Sequence, residues 1–184
     1  MKRPTERGGT VKSLRQAIGL IKMGAPMHPI FVYFTIALTS ASLVFDALGF
    51  FFNKRSLTAA GGWTLFAIVF LWQIPHFMAI AWLYRDDFRR AGFPLLPVVH
   101  PDGKSTARQA VLFSLFLIPI SLVPFALHMA GPIYAAGALA GSLGLLAAAV
   151  AFRADRTDLR ARRLFLGSIT YLPLLWVLLI VDRL

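Results

Sequence analysis

The fold follows from one stretch, FLWQIPHFMAIAWLYRDDFRRAGFPLLPVV, which covers residues 70–99. It begins as sequence that is apolar enough for a membrane, and it then carries two adjacent acids, Asp86 and Asp87, among three arginines. Because burying a carboxylate in hydrocarbon costs several kcal/mol, we expect such a cluster at the membrane mouth of a polar cavity. The stretch therefore predicts a transmembrane helix that ends at a functional site.

The composition indicates a membrane protein. Of the 184 residues, 58% are hydrophobic and 15% are charged, and the mean hydropathy is +0.69. These values exclude an ordinary soluble domain, and the lack of cysteine excludes disulfides and thiolate chemistry. In a soluble protein a net charge of +11 would indicate nucleic acid, but here the basic residues flank apolar segments and meet lipid headgroups. We predict a polytopic protein that binds the lipid bilayer and no nucleic acid.

Five apolar segments are long enough to cross a hydrocarbon core of about 30 Å, which takes about 20 helical residues. They cover residues 30–52, 63–83, 110–127, 133–152 and 164–181. Their apolar runs are continuous and lack the alternation of a barrel strand, so the predicted fold is all-α. Residues 1–28 form a basic segment, either a disordered tail or an amphipathic helix on the membrane surface. Residues 29–184 form the predicted transmembrane domain.

The basic residues also predict an orientation. Six, five and five Lys or Arg residues lie before the first span, between the second and third, and between the fourth and fifth. The alternate connections and the C-terminal end hold two, none and one. The positive-inside rule therefore predicts that the N-terminus and residues 85–108 are cytoplasmic and that the C-terminus lies outside.

Three further features lie within the spans. Asp46 is an intramembrane acid with no second carboxylate one helical turn away, and it is either functional or neutral. Gly137 and Gly141 have GxxxG spacing, which predicts close helix packing within the chain or against a partner, including a second copy in a homo-oligomer. Kinks are expected at Pro119, Pro124 and Pro173.

The second span carries polar residues on one face. In a helical projection Gln73, His76 and Asp87 fall within about 80° of one another. Pro75 removes a backbone hydrogen bond and bends the helix just before His76. Gln73 and His76 either bind substrate in a cavity or form hydrogen bonds to neighbouring helices.

The charged cluster suits a site that handles a diphosphate. Mg²⁺ binds carboxylates together with substrate phosphates and water, so Asp86 and Asp87 are candidate metal ligands and catalytic residues. Tyr84 is the last aromatic residue before the acids, and its ring can stabilise a nearby cation, which makes it a third catalytic candidate. The candidates for neutralising phosphate oxygens are Arg85, Arg89, Arg90 and Lys104.

Three motifs in this region resemble a known family. They are WQIPHF at residues 72–77, YRDDFRRAG at 84–92 and PLLPV at 94–98, and they are similar to the later half of the protoheme IX farnesyltransferases, which are UbiA-type intramembrane prenyltransferases. The resemblance covers residues 57–184 and implies a partial UbiA-type helical bundle in a bacterial inner membrane, with Mg²⁺ as cofactor. It also implies that farnesyl diphosphate and protoheme IX are the substrates. The farnesyl group would join a heme vinyl with addition of water to give heme O.

The sequence departs from that family in two respects. Many UbiA relatives have acids where this chain has Tyr84 and Phe88, although the heme-specific branch resembles this chain. Members also have nine spans and an earlier N-x-x-x-D-x-x-x-D motif that brings a second Mg²⁺, and we find neither in this sequence. We therefore expect little activity from the chain alone. It would be a truncated gene product, a half that assembles with a complementary N-terminal half, or a repurposed chain.

The sequence leaves other functions open. One alternative is a non-catalytic membrane remnant or a scaffold for oxidase assembly, which would bind farnesyl diphosphate with little dependence on Mg²⁺. A small transporter is a third candidate, although no inverted internal repeat is apparent. The sequence does not choose a heme-contacting residue among His28, His76, His100 and His128.

Overall fold

The structure is a computed structural model that describes residues 59–183, and this range is helical with no strand. We number its helices α1 (Ala59–Leu83), α2 (Arg85–Arg90), α3 (Leu96–Val99), α4 (Lys104–Ala126), α5 (Pro132–Ala154) and α6 (Asp158–Val181). The predicted all-α fold is confirmed over this range. The basic segment 1–28, the first predicted span at residues 30–52 and Asp46 lie outside the described residues.

Four helices are long and apolar enough to cross a membrane, and they cover Gly61–Leu83, Lys104–Ala126, Pro132–Ala154 and Asp158–Val181. They confirm the second to fifth predicted spans. Two of them begin earlier than predicted, at Lys104 and Asp158 rather than at residues 110 and 164. Hydropathy ends a span at its first charges, whereas a helix continues through charged turns that lie at the headgroups. The polar connector predicted at residues 153–163 is consequently only residues 155–157.

Local chemistry fixes where α4 and α6 begin. Gly103 precedes α4 with a left-handed φ of 68°, a conformation that glycine adopts at little cost. The Thr157 hydroxyl oxygen accepts a hydrogen bond from the backbone N–H of Arg160 at 3.4 Å and so caps α6. Asp158 in the first turn adds a negative charge where the helix dipole favours one.

The four long helices pack in a ring. Helix α1 packs against α4, α4 against α5, α5 against α6, and α6 returns to α1. Within the described bundle the diagonal pairs make no comparable contact, so each helix has two main neighbours. This is the arrangement of a four-helix bundle.

The buried positions recur every three or four residues. On α6 they are Ala161, Leu164, Ser168, Tyr171, Leu175 and Leu179, and on α4 they include Ala107, Ala110, Ser114, Leu117, Ser121 and Pro124. This spacing is the heptad pattern of left-handed helix packing. The small residues in it let the helix backbones approach closely, as packing within a bilayer favours.

The GxxxG pair on α5 packs within this chain. A Cβ atom at Gly141 would lie 2.9 Å from Cδ2 of Tyr171 on α6, and one at Gly137 would overlap the side chain of Leu178. Of the two predicted alternatives, the structure therefore has the intrachain contact. Gly144 lies one turn further along α5, and a Cβ atom added there would meet no described atom within 4 Å.

A tertiary cap joins α5 and α6 at the end of the bundle away from α2. The backbone N–H of Gly131 donates to the carbonyl oxygen of Asp182 at 2.7 Å. The backbone N–H of Tyr134 donates to Oδ2 of the same residue at 2.6 Å. The first amides of a helix lack intrahelical partners and attract negative charge, so Asp182 stabilises the start of α5.

The contact between Gly141 and Tyr171 predicts a difference between two alanine variants. Gly141→Ala and Gly144→Ala gain the same helix propensity, about 1 kcal/mol, but only the first pushes against a ring. We expect Gly141→Ala to be less stable than Gly144→Ala by about 1–3 kcal/mol. Thermal or denaturant unfolding in detergent measures the difference, and equal stability of the two variants would contradict the packing of α5 on α6.

Candidate functional site

The predicted acids lie on the short helix α2 at one end of the bundle. Helix α1 ends at Leu83, and Tyr84 follows with a ψ of 20°, well away from the value of about −42° in an α-helix. The prediction of one continuous helical face from Gln73 to Asp87 is therefore wrong, because the helix is interrupted at Tyr84. The acids sit on a helix of their own.

Each acid on α2 pairs with an arginine on the next turn. Nη1 of Arg89 donates to Oδ1 of Asp86 at 2.8 Å, and Arg90 pairs in the same way with Asp87. The side chains of the two acids are 68% and 60% exposed. No residue of α2 is buried. In the part of the chain that the structure describes, this cluster lies open at the bundle end and not in an enclosed chamber.

Arg85 has a different environment from the other two arginines of α2. Its Nη1 donates to the carbonyl oxygen of Trp82 and to Oδ1 of Asp158, both at 2.7 Å. Its guanidinium carbon lies 4.7 Å from the centroid of the Trp82 ring, in cation–π geometry. Arg85 thus connects the end of α1 to the first turn of α6.

The Trp82 ring gathers several elements at this end of the bundle. It is buried, and its centroid lies 5.6 Å from that of Phe152 on α5. A Cβ atom at Gly103 would overlap the ring and would lie 3.1 Å from Cδ of Arg156. The start of α4 and the end of α5 therefore meet at Trp82, directly beside Arg85.

The remaining two predicted residues of the cluster are also at the surface. Tyr84 is 55% exposed. Lys104 begins α4, where its Nζ atom lies 3.9 Å from Oδ2 of Asp102. The backbone N–H of Lys104 donates to Oδ1 of the same acid at 3.1 Å.

Nearly all basic residues of the described range lie at this end of the bundle, which we call the basic end. Of the eleven Lys and Arg residues between 59 and 183, only Arg183 lies at the other end. The ten at the basic end are Arg85, Arg89, Arg90, Lys104, Arg108, Arg153, Arg156, Arg160, Arg162 and Arg163. Such a concentration of one sign of charge attracts anions.

Two of the polar side chains inside α1 contact the neighbouring helix α6. Gln73 is buried. Nδ1 of His76 lies 2.9 Å from the hydroxyl oxygen of Ser168, and Nε1 of Trp72 donates to the Ser168 carbonyl oxygen at 2.7 Å. His76 thus makes the interhelical hydrogen bond of one predicted alternative through Nδ1, and substrate binding by His76 remains a prediction.

The aromatic partners of His76 and the role of Ser168 are not among the features that the sequence predicts. The imidazole ring stacks with Trp72, at 4.9 Å between centroids, and with Phe165, at 5.1 Å. The sequence feature that could have indicated this contact is Ser168, a serine within an apolar span. Serine hydroxyls in helices commonly bond to their own backbone, so that signal did not indicate a partner on α1.

The acids of α2 are two adjacent carboxylates, and each is paired with its own arginine. The described residues contain no group of three or more His, Cys, Asp or Glu side chains that could hold a metal ion. Two carboxylates suit Mg²⁺ when the ion also brings phosphate and water ligands, and they are too few to hold it alone. Asp86 and Asp87 therefore fit a Mg²⁺–diphosphate complex and not a permanently bound ion.

Comparison with known proteins identifies relatives for most of this chain. The sequence model of the UbiA prenyltransferase family matches residues 11–169, a range that begins well before residue 57. The protoheme IX farnesyltransferase of Solibacter usitatus is 51% identical over 130 residues, which are 68% of this chain and 44% of that protein. The enzyme of the same name from Salinibacter ruber is 41% identical over 136 residues, 74% of this chain and 48% of the relative.

A third relative has the same name and similar coverage. The protein from Koribacter versatilis is 48% identical over 132 residues, which are 66% of this chain and 43% of that protein. The chain thus spans less than half the length of these curated relatives. No solved structure matches it.

The contacts of Arg85 predict that this arginine contributes more to stability than its neighbour Arg89. Arg85→Gln removes a cation–π contact and an ion pair to another helix, which together are worth about 1 kcal/mol. Arg89→Gln removes only an exposed pair within α2, worth about 0.3–0.5 kcal/mol. Unfolding in detergent measures both variants. A double-mutant cycle with Asp158→Asn should show coupling for Arg85 and none for Arg89, and the reverse would contradict the interhelical contact.

Proposed function

The chain belongs to the UbiA prenyltransferase family, and from this premise we propose that it takes part in the transfer of farnesyl from farnesyl diphosphate to protoheme IX to give heme O, with little activity when it acts alone. The charged helix α2 at the basic end is the observation that carries the proposal. It places two acids and two exposed arginines together in the segment that the protoheme IX farnesyltransferases share with this chain. Phosphate oxygens and a divalent cation are the ligands that such a set can bind.

In the proposed reaction the first carbon of the farnesyl group loses its bond to a diphosphate oxygen and gains a bond to a heme carbon. The C–O bond between the farnesyl group and its diphosphate breaks, and the diphosphate leaves with the bonding electrons. The farnesyl carbon bonds to the outer carbon of a heme vinyl group, and water adds to the inner carbon with loss of a proton. The protein must therefore hold the leaving group and shelter a cation from water until the new carbon–carbon bond forms.

We assign the first task to α2 and its surroundings. Mg²⁺, when bound by Asp86 and Asp87 together with the diphosphate, neutralises charge on the leaving group. Arg89 and Arg90 exchange their carboxylate partners for phosphate oxygens, and exposed pairs of this kind cost little to separate. Lys104 and Arg85 add positive charge at the same end, while Nη1 of Arg85 joins α2 to Asp158 in the first turn of α6.

The second task falls to the apolar part of the site. Tyr84 is the aromatic residue that leads into α2, and half of its surface is open. A ring in this place can stabilise positive charge on the allylic carbon close to the departing diphosphate. Gln73 and His76, further along α1, would contact the protoheme substrate.

Replacing one acid tests the proposed site. We expect Asp87→Asn to lower heme O formation by about 100-fold, because the variant loses an ionised ligand for the Mg²⁺–diphosphate complex. The assay uses membranes from a host that lacks heme O, with farnesyl diphosphate, protoheme IX and Mg²⁺, and it separates the hemes by chromatography. Asp155→Asn is the matched control, since Asp155 is an exposed acid at the basic end outside the assigned set, and it should keep the wild-type rate.

Binding of farnesyl diphosphate separates the enzyme from the non-catalytic alternative. The proposed function requires tighter binding with Mg²⁺ than without it, and this dependence should be lost in Asp87→Asn. Heme O formation that persists in Asp87→Asn would contradict the assignment of the acids. Absence of heme O together with binding that ignores Mg²⁺ would favour a non-catalytic membrane protein.

The chain is a multi-pass membrane protein, and we propose that its basic end faces the cytoplasm of a bacterial cell. Ten of the eleven Lys and Arg residues between 59 and 183 support this orientation through the positive-inside rule. The C-terminal end of α6 would then lie on the outer side of the inner membrane. Both substrates would reach α2 from the cytoplasm or from the inner leaflet.

Single cysteines test the orientation, because the chain has none of its own. We expect a membrane-impermeant maleimide to label Arg183→Cys in intact cells and to leave Arg153→Cys unlabelled. After permeabilisation both variants should react, which confirms that each cysteine is accessible. The opposite pattern in intact cells would overturn the proposed orientation.

A further inference from the structure

The hydrogen bonds around Ser168 determine which nitrogen of His76 carries a proton. The Ser168 hydroxyl donates its one hydrogen to the carbonyl oxygen of Phe165 at 2.6 Å. It must then accept a hydrogen bond from His76, whose Nδ1 lies 2.9 Å away. In the neutral imidazole Nδ1 therefore bears the hydrogen, and Nε2 has a lone pair.

The lone pair of Nε2 is held in a fixed direction. Trp72 and Phe165 both stack on the imidazole, at interplanar angles of 20° and 25°, and the Phe77 ring lies edge-on to it at 5.7 Å between centroids. Trp72 is itself fixed by the hydrogen bond from its Nε1 to the Ser168 carbonyl. Among the described residues Nε2 has no hydrogen-bond partner, and it lies on the side of the ring away from Ser168.

We propose that Nε2 of His76 is an axial ligand to the iron of the protoheme substrate. This inference rests on the proposed function, which supplies the heme. A histidine that binds a metal through one nitrogen commonly donates a hydrogen bond from the other, and this bond fixes both the tautomer and the ring direction. The chain from Nδ1 through the Ser168 hydroxyl to a backbone carbonyl supplies that second contact.

The position of His76 along α1 agrees with this role. It lies seven residues before Leu83, where α1 ends, which corresponds to about 10 Å along the helix axis, and the acids follow on α2. A porphyrin whose iron is bound at His76 can therefore extend an edge toward the acids. The diphosphate held there would keep the reacting farnesyl carbon near that edge.

The other described histidines have no comparable setting. His100 and His128 are both exposed, and they lie in connections outside the four long helices. Within residues 59–183, neither of them has an aromatic ring stacked on it or a hydroxyl at a ring nitrogen. They are therefore suitable controls for His76.

Absorption and electron paramagnetic resonance spectra of the full chain with ferric protoheme test the proposal. We expect the wild-type protein in nanodiscs to give the spectrum of a histidine-bound heme, and His100→Ala and His128→Ala to leave it unchanged. His76→Ala should lose that spectrum and bind heme at least about 10-fold more weakly. His76→Met should give a different ligand spectrum, because a thioether replaces the imidazole.

Two further measurements exclude a merely structural role. Added imidazole should restore the histidine-type spectrum of His76→Ala, which a misfolded protein would not allow. Ser168→Ala should keep the ligand but weaken heme binding by about 10-fold, since the ring direction is no longer fixed.

The outcomes separate the two proposals. Heme binding with an unchanged spectrum in His76→Ala would overturn the ligation and leave the proposed function standing. Loss of the spectrum without rescue by imidazole, or without a new spectrum in His76→Met, would also overturn the ligation. A wild-type chain that binds no protoheme would overturn both proposals.

Discussion

The packing of α6 against α1, which completes the ring of four helices, is the constraint on which the bundle depends. The other neighbouring helices follow one another in sequence and are joined by connections that keep them close, but Trp72 and Ser168 are 96 residues apart. In lipid the hydrophobic effect does not drive helices together, so packing and polar contacts must do so, at about 1 kcal/mol for each hydrogen bond. Two hydrogen bonds to Ser168 and the pair of Arg85 with Asp158 supply such contacts.

The residues that join α6 to α1 and α2 also lie beside the proposed site. Arg85 is the first residue of α2, so its ion pair with Asp158 determines where the following acids lie. His76 takes its tautomer and direction from the serine that joins α1 to α6. A change that loosens α6 would therefore disturb both ends of the proposed site, even where it contacts no substrate. Stability and activity should fall together in such variants.

Much of the fold could be predicted from the sequence because apolar length is a local property. Apolar length identified four spans correctly within the described range. It placed the starts of two helices too late, because these helices begin with charged turns at Lys104 and Asp158 that precede the apolar residues. The GxxxG spacing predicted close packing but not its partner, since the partner depends on Tyr171, thirty residues away on a helix with its own register. The contact between His76 and Ser168 could likewise not be predicted, because it depends on which side chains two separate helices turn toward each other.

The ion pairs on α2 do not conflict with a role in binding phosphate. Each pair joins residues three apart on an exposed helix, and such pairs contribute about 0.5 kcal/mol or less. A diphosphate with a divalent cation offers the arginines phosphate oxygens and the acids a metal ion at once, and these bonds are charge-assisted like the pairs that they replace. In the absence of substrate the pairs neutralise α2 internally. The acids therefore do not repel an approaching diphosphate, while the surrounding basic end still attracts it.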